Sequence, residues 1–507
     1  MTNTTMRHYV KKAGLSAIVL ALAGCAVGPD FKHPAAPDTP GYTQAPLPSQ
    51  VGSADAGGAQ TLAMDRDIPA QWWTLFHSPA LNDLVEASLK QNPTIDAARA
   101  SLRQAHELSS AQWGSYFPTV SAGISPTRQK TAGILAPIVS SNESIYSLQT
   151  AQLSIGFTPD IFGGNRRQVE SLDAQSESQL FQLEAAKLTL ASNVVVAAIQ
   201  EASLRAQIEA THRLIESQRK VLASYQRQFA LGQAKELDVL TQESQMAQNE
   251  AALPPLEKQL AQQRDLLTAL AGRFPADEIA AKFELDSLQL PAELPVSLPS
   301  RLVQQRPDIR AADAQLHSAS ALIGVAIANR LPNLTIAGTF GSSASTFANL
   351  FTAGTGFWSI AGDLTQPLFD AGTLKHRQGA AVAAYDEAEA QYRSTVITAF
   401  QNVADTLHAI VSDADALHAS QRAEQAAKRT LDITQRQQVL GDVGSLVVVT
   451  AEQAWLQARL TSITAQANRL GDSAALLQAL GGGWWNEPDN AHPDSGCENG
   501  AKATPAS

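Results

Sequence analysis

Any chemistry in this chain of 507 residues would start from its thiols, imidazoles and paired acids, and these are few and scattered. The two cysteines, Cys25 and Cys497, form no CxxC and join no Cys/His cluster at zinc spacing, so neither redox nor structural-metal chemistry is expected. The ten histidines include no HExxH pair, and there is no GxSxG elbow or P-loop. Gly354-Thr355-Gly356 lacks the third glycine and the strand-turn-helix context of a dinucleotide site. His106, Glu107 and His317, like the pair Glu387 and Glu389, are expected on solvated helix faces. No catalytic or metal-ligating residue is expected, and no enzyme.

One residue does have a setting that points to a covalent reaction. The chain opens with a basic stretch (Arg7, His8, Lys11, Lys12) and an apolar run from Ala13 to Ala23, too short to span a bilayer and laid out like an export signal over 1–24. The next residues, Leu22-Ala23-Gly24-Cys25, resemble the bacterial lipoprotein box. That resemblance implies a diacylglycerol and an N-acyl chain on Cys25 as the first residue of the mature protein, with no other cofactor. Ala26 in place of an aspartate fits onward sorting to the outer membrane. Lipid on one cysteine anchors a protein without spanning anything. Residues 25–70, rich in Pro, Ala and Gly, read as an extended tether, and 486–507 as a disordered tail in which Cys497 is an exposed thiol.

The elements in between come from a duplication. Leu89 to Leu102 lies over Val303 to Leu316 with seven of fourteen positions identical, at an offset of 214 that also carries Pro118 onto Pro332. Gln226 to Glu243 lies over Gln435 to Glu452 with nine of eighteen identical at offset 209. The two structural repeats are expected at 71–290 and 291–485. Each holds a helix starting at a proline (Pro93, Pro307), a hairpin (about 116–158 and 332–367), and a long helical pair (about 165–271 and 373–480). Val120, Ala122 and Ile124 alternate in one strand and Leu153, Ile155 and Phe157 in the next, where a slip after Leu148 predicts a bulge. In the second hairpin Leu334, Ile336, Gly338 and Phe340 alternate, as do Trp358, Ile360, Gly362 and Leu364. A heptad seam runs from Leu183 to Phe229 through Leu190, Val194, Leu204, Ile215 and Leu222. Asn165 to Leu231 as one helix is roughly 100 Å of rod, and Pro254-Pro255 predicts a kink or break in the helix that returns.

Four strands cannot close a barrel, and strand edges cannot face hydrocarbon, so hairpins of this kind in a membrane must be pooled by several chains. A net charge of −11 without any basic block of five leaves nucleic acid an unsuitable partner. Helix seams of small and apolar residues backed by Gln, Ser, Glu and Lys suit a ring of helices around water. The other architecture compatible with the pattern is a periplasm-facing coiled-coil lipoprotein with a scaffold or adaptor role.

The chain resembles the TolC-type outer-membrane efflux factors, in their lipoprotein (NodT/OprM-like) branch, across nearly all of 25–485. The resemblance is carried by Cys25-Ala26-Val27-Gly28-Pro29-Asp30-Phe31, Trp72-Trp73, Asp160-Ile161-Phe162-Gly163-Gly164, Arg306-Pro307-Asp308-Ile309-Arg310, Leu368-Phe369-Asp370-Ala371-Gly372 and Ala479-Leu480-Gly481-Gly482-Gly483-Trp484. It implies a mainly α fold with membrane β: four strands per chain pooled by a homotrimer into a twelve-strand barrel, continued by a long α-helical barrel through the periplasm. It also implies outer-membrane lipid around the barrel, a periplasmic adaptor and an inner-membrane pump as partners, and passive exit of drugs or other toxic small molecules. The helical pairs reverse at Leu231-Gly232-Gln233 and Leu440-Gly441-Asp442, which the family places at the adaptor-docking tip. The family constriction lies just beyond, and its common aspartate falls on Thr450 here. A closure made largely by apolar side chains such as Leu446 and Val447 is expected, with Asp238 and Asp442 the nearby acids.

Overall fold

The structure is a computed structural model that describes residues 26–39, 41–52, 58–130 and 145–487, so Cys25, the leader, the turn of the first hairpin and the tail lie outside the described residues. Strands β1 (Gln50–Val51) and β2 (Gln60–Met64) come first. The first repeat follows as α1 (Pro79–Gln91), α2 (Pro93–Trp113), β3 (Thr119–Lys130), β4 (Ile145–Phe157), α3 (Gly164–Ala230) and α4 (Glu236–Leu270). After β5 (Glu293–Val296), the second repeat comprises α5 (Pro299–Gln305), α6 (Pro307–Ala328), β6 (Asn333–Ala344), β7 (Gly356–Thr365), α7 (Thr373–Leu440) and α8 (Ser445–Ala479). The duplication thus holds element by element. The starts of α2 and β3 recur 214 residues later in α6 and β6, and those of α3 and α4 recur 209 residues later in α7 and α8.

Contacts divide the chain into two compact units, and α2, α3, α6 and α7 contribute residues to both. The strand unit (1–34, 102–179 and 312–392) contains an antiparallel sheet in the order β3-β4-β6-β7. Its register places Val120 opposite Ile155, Ile155 opposite Gly338, and Gly338 opposite Ile360. Side chains alternate across a strand, so directly paired residues share a face. Val120, Ile124, Leu153, Ile155, Ile336, Phe340, Trp358, Ile360 and Leu364 all fall on one face, and each is between 39% and 76% exposed. Ser121, Ser154, Thr339 and Ser359, paired in turn across the sheet, lie on the other. A sheet that folds in water buries its apolar face; this one presents it outward. The expected bulge does not form, because the β3–β4 and β4–β6 registers run without interruption. Leu148 instead takes a half-buried place on the polar face, and the ladder keeps its hydrogen bonds.

The helix unit (35–101, 180–311 and 393–507) is built on the predicted seam. Leu183, Leu190, Val194, Ala197, Leu204, Ile215 and Leu222 of α3 are buried, and so are the seam's polar members Glu201 and Gln218. Glu201 Oε1 accepts hydrogen bonds from Arg205 Nη2 and from Arg264 Nη1 of α4, both at 2.7 Å, and Gln218 Oε1 accepts from Asn249 Nδ2 of α4 at 2.8 Å. On α7, Tyr392 closes the strand unit's share, and Val396, Ala399, Val403, Ile410, Leu417 and Leu431 repeat the stripe in the helix unit. No break occurs at Pro254-Pro255: α4 runs through both prolines. It is tied to α3 on either side of them, at Asn249 before and at Gln263 and Arg264 after, and these contacts offset the two lost backbone hydrogen bonds.

The tether is also more ordered than its composition predicts. Within 25–70, β1 pairs antiparallel with β2, and β2 pairs parallel with β5, making a three-stranded sheet beside the four expected strands. Val51, Leu62 and Ile68 are buried, and the fully buried Gln60 donates through Nε2 to Pro291 O and Ser473 Oγ, both at 3.0 Å. Three apolar anchors and one polar one suffice to hold a segment that prolines keep extended elsewhere.

Candidate functional site

The first candidate surface is the sheet itself. Its strands of 10 to 13 residues match the length needed to cross hydrocarbon at a tilt. Its apolar face suits lipid, and the opposite row of Ser, Thr and Gln suits water. Within the chain, β3 and β7 are edge strands, each with one side of its backbone ladder unpaired by the sheet.

The second surface is the pair of helix reversals. At each, glycine takes the left-handed conformation, φ 69° at Gly232 and 82° at Gly441, which an L side chain would strain. Gly232 N donates to Phe229 O (2.9 Å) and Gln233 N to Gln228 O (2.8 Å); Gly441 N donates to Gln438 O (3.0 Å) and Asp442 N to Gln437 O (2.9 Å). These are two matching Schellman closures, and they satisfy the last helix carbonyls. Leu231 and Leu440, 72% and 75% exposed, project from the reversals with Val439, Leu237 and Leu240 also exposed nearby in the chain.

Beyond each turn the expected constriction residues sit in the first turns of the return helices. Asp238 Oδ2 accepts from Lys235 N at 3.0 Å and so caps the start of α4, where a negative charge also favours the helix dipole. Leu446 and Val447 are half-exposed at the start of α8, and Thr450 Oγ1 donates to Leu446 O at 3.0 Å. Thr241, the counterpart of Thr450 in α4, makes the same bond to Leu237 O at 2.7 Å. Among the described residues no hydrogen bond or ion pair joins Asp238, Asp442 and Thr450.

Cys25 lies outside the described residues, but the strap that follows it is pinned within the strand unit. Val27 N donates to Phe162 O at 3.0 Å, and the buried Arg167 reaches Asp30 Oδ1 at 2.7 Å and Val27 O at 3.2 Å. Phe31 stacks on His317 at 4.4 Å, and His317 Nε2 lies 3.1 Å from Glu170 Oε1. His317 is therefore a packed residue rather than one on a solvated face; the strap that covers it is distant in sequence. His106, Glu107, Glu387 and Glu389 are exposed, as expected.

Several buried polar residues gave no signal in the sequence. Arg469 on α8 is 1% exposed and donates to Gln60 Oε1 (3.2 Å), Val51 O (3.2 Å) and Gly58 O (3.0 Å). Burial, with Asp413 of α7 hydrogen-bonded beside it, pushes the Asp472 carboxyl up to about 7. Trp113, Tyr116, Glu170, Asp173, Glu177 and His317 line a cavity of about 490 Å³ in the strand unit. No group of three or more His, Cys, Asp or Glu among the described residues is placed to hold a metal ion.

Comparison with known proteins agrees with this arrangement. Residues 84–273 and 298–482 match the outer membrane efflux protein family. The chain is 29% identical over 490 residues to a probable efflux pump outer membrane protein, TtgC, of Pseudomonas putida, covering 96% of this chain and 98% of that one. It is 30% identical over 447 residues to the pyoverdine export outer membrane protein OpmQ of Pseudomonas putida, covering 87% and 94%. Its structure superposes on the outer-membrane channel OprN with a TM-score of 0.78 at 26% identity, covering 91% of this chain and all of that one. The chain thus belongs to the outer membrane efflux protein family: it is an outer-membrane efflux channel extending into the periplasm, with the helical and β architecture of the trimeric TolC-type channels.

Proposed function

We propose that three copies of the chain close one twelve-strand barrel and serve as the passive exit duct of a tripartite efflux system, with no chemistry of their own. The observation that carries this is the continuous apolar face of the four-strand sheet together with its two free edges, a combination stable in a bilayer only when the edges are paired. A coiled-coil scaffold in the periplasm would leave that face in water. Purified protein should run as a trimer in detergent and pass ions across a planar lipid film. A single-copy, non-conducting protein would overturn the reading.

The helix reversals at Leu231-Gly232-Gln233 and Leu440-Gly441-Asp442 dock a periplasmic adaptor, which links the duct to an inner-membrane pump. Their matched closures and exposed leucines support this, since an apolar knob on a rigid turn suits a partner helix. Closure just inside rests on Leu446 and Val447, with Thr450 and Asp238 beside them in the pore. Thr450→Asp should change conductance and its response to cations; no change would place Thr450 outside the pore. The cargo is drugs or other toxic small molecules, in keeping with relatives named for efflux pumps. Cys25 carries the lipid, and its pinned strap supports an anchor held beside the barrel. Cys25→Ser should lose acyl label while the barrel still assembles, the lipid being auxiliary.

A further inference from the structure

The two turns that lead from the sheet into the long helices have similar parts and opposite surroundings. In the first repeat Pro159 is followed by Asp160, Ile161 and Phe162, and Asp160 accepts from Asn165 N (2.9 Å) and Arg166 N (2.8 Å). Ile161 and Phe162 are half-buried, with Val27 N of the strap on Phe162 O, and the buried Arg167 that follows is paired with Asp30 and Glu170. In the second repeat Pro367 is followed by Leu368, Phe369 and Asp370, and Asp370 accepts from Gly372 N (2.9 Å) and Leu374 N (2.8 Å). Here Leu368 and Phe369 are 93% and 91% exposed.

Cations gather at this second turn. Arg330, just past α6, accepts through its carbonyl from Gln366 Nε2 at 3.1 Å and donates through Nη1 to Gln378 Oε1 of α7. Lys375 lies three residues before Gln378 on the same helix face, and Arg377 directly precedes Gln378. The backbone bonds from Leu374 and Gly372 hold the Asp370 carboxyl below its usual value, and the nearby Arg330 guanidinium lowers it further. That carboxylate is committed to the backbone, and from Ala371 to Tyr385 the chain has no other acid. Arg330, Lys375 and Arg377 are exposed, and among the described residues none of them makes an ion pair. Lys375 and Arg377 also stand near the start of α7, where the helix dipole disfavours a cation, so helix stability does not account for them.

We propose that this corner of β7, α6 and α7 binds anionic phospholipid of the periplasmic leaflet, with Arg330, Lys375 and Arg377 on the headgroup phosphate and Leu368 and Phe369 among the acyl chains. The site lies within one copy: it rests on the sheet lying in the bilayer and not on how many copies close the barrel. Its depth fits. Arg330 stands three residues before β6 and Leu368 three after β7, so neither is more than about 11 Å of chain from the end of the sheet. The polar layer beside the hydrocarbon is about 5–8 Å deep. Three cations against one committed carboxylate favour a net-negative headgroup over a zwitterionic one. In the first repeat the protein covers its own turn, with acids for the arginine and a strap for the apolar pair; in the second, one anionic lipid supplies both chemistries.

Full-length protein in detergent, titrated with phosphatidylglycerol or phosphatidylcholine and followed by native mass spectrometry, tests this. Phosphatidylglycerol should bind at least about tenfold tighter, and Arg330→Gln/Lys375→Gln/Arg377→Gln should remove that preference. Arg422→Gln/Arg429→Gln/Arg436→Gln, which removes three exposed cations far along α7, should keep it. If the first triple variant fails to fold, Lys375→Gln/Arg377→Gln, which leaves Arg330 on Gln378, should still cut the preference at least about threefold. In vesicles, a nitroxide on Phe369→Cys, with Cys497→Ser, should collide more with oxygen than with a water-soluble nickel chelate. Equal affinity of the parent for both lipids, a preference that survives the first triple substitution, or a nitroxide more open to the chelate would each overturn the site. So would loss of trimers by a folded triple variant, which would give the cations to a neighbouring copy, or displacement of the lipid by an equal concentration of glycerol phosphate, which would give them to a soluble anion. A parent that is single-copy yet keeps the preference would overturn the pooled barrel and support this site.

Discussion

Arg469 shows how one side chain organises a segment far from it in sequence. Its guanidinium is buried with an amide oxygen and two carbonyls as acceptors and, among the described residues, no ion pair. Arg469→Met keeps the bulk and removes the donors, leaving those oxygens buried without partners. The expected cost is about 2–3 kcal/mol, read as a lower thermal midpoint together with new protease cleavage within 50–64. Asp472 acts through its proton. Its carboxyl is raised in the fold from 3.8 to about 7, so the folded chain holds a proton that the unfolded chain has already released. That contribution is complete at low pH and is lost as pH climbs toward about 7. The thermal midpoint should therefore fall between about pH 4 and about pH 7 through this group, and Asp472→Asn should flatten the fall.

The sheet's two faces make opposite demands on substitution. Ile360→Lys places a charge on the lipid side and should cost about 2–4 kcal/mol if the residue sits near the bilayer midplane, seen as less assembled protein in the outer membrane. Its neighbour Ser359→Lys, on the water side, should assemble normally and shift the ion preference of the conductance. Among the helices, α4 tolerates two consecutive prolines only because α3 holds it on both sides. Pro255→Ala restores a backbone donor and should raise the thermal midpoint, an interior proline being worth up to ~3 kcal/mol. At this scale the duplicated blocks, the seam and the alternating strands were all legible. The continuity of α4 was not, because proline cost is a local quantity and the contacts that offset it lie on another helix.

The whole molecule is defined by what one copy leaves open. A sheet with an apolar exterior and two free edges, and long helices of which α7 shows a bare stretch at 373–390, are surfaces awaiting copies of the same chain. If every copy must present an intact tip, Leu231→Asp/Leu440→Asp co-expressed with an equal amount of wild type leaves only about one-eighth of randomly mixed trimers unaltered. Efflux should then fall well below half, and a fall to only half would argue against a shared ring. The double variant alone should abolish efflux while trimers persist.

Pattern alone determined the repeat, the hairpins, the long helices and the family, because period and duplication are properties of order along a chain. It also located both glycine reversals, whose conformation only glycine adopts without strain. Tertiary structure decided what period cannot express: that the strand ladders absorb Leu148 without a bulge, that the tether becomes a sheet on Arg469, that His317 lies under Phe31, and that Asp472 keeps a proton beside Asp413. Each of those depends on a partner tens to hundreds of residues away, whose distance in space is set only when the chain has packed.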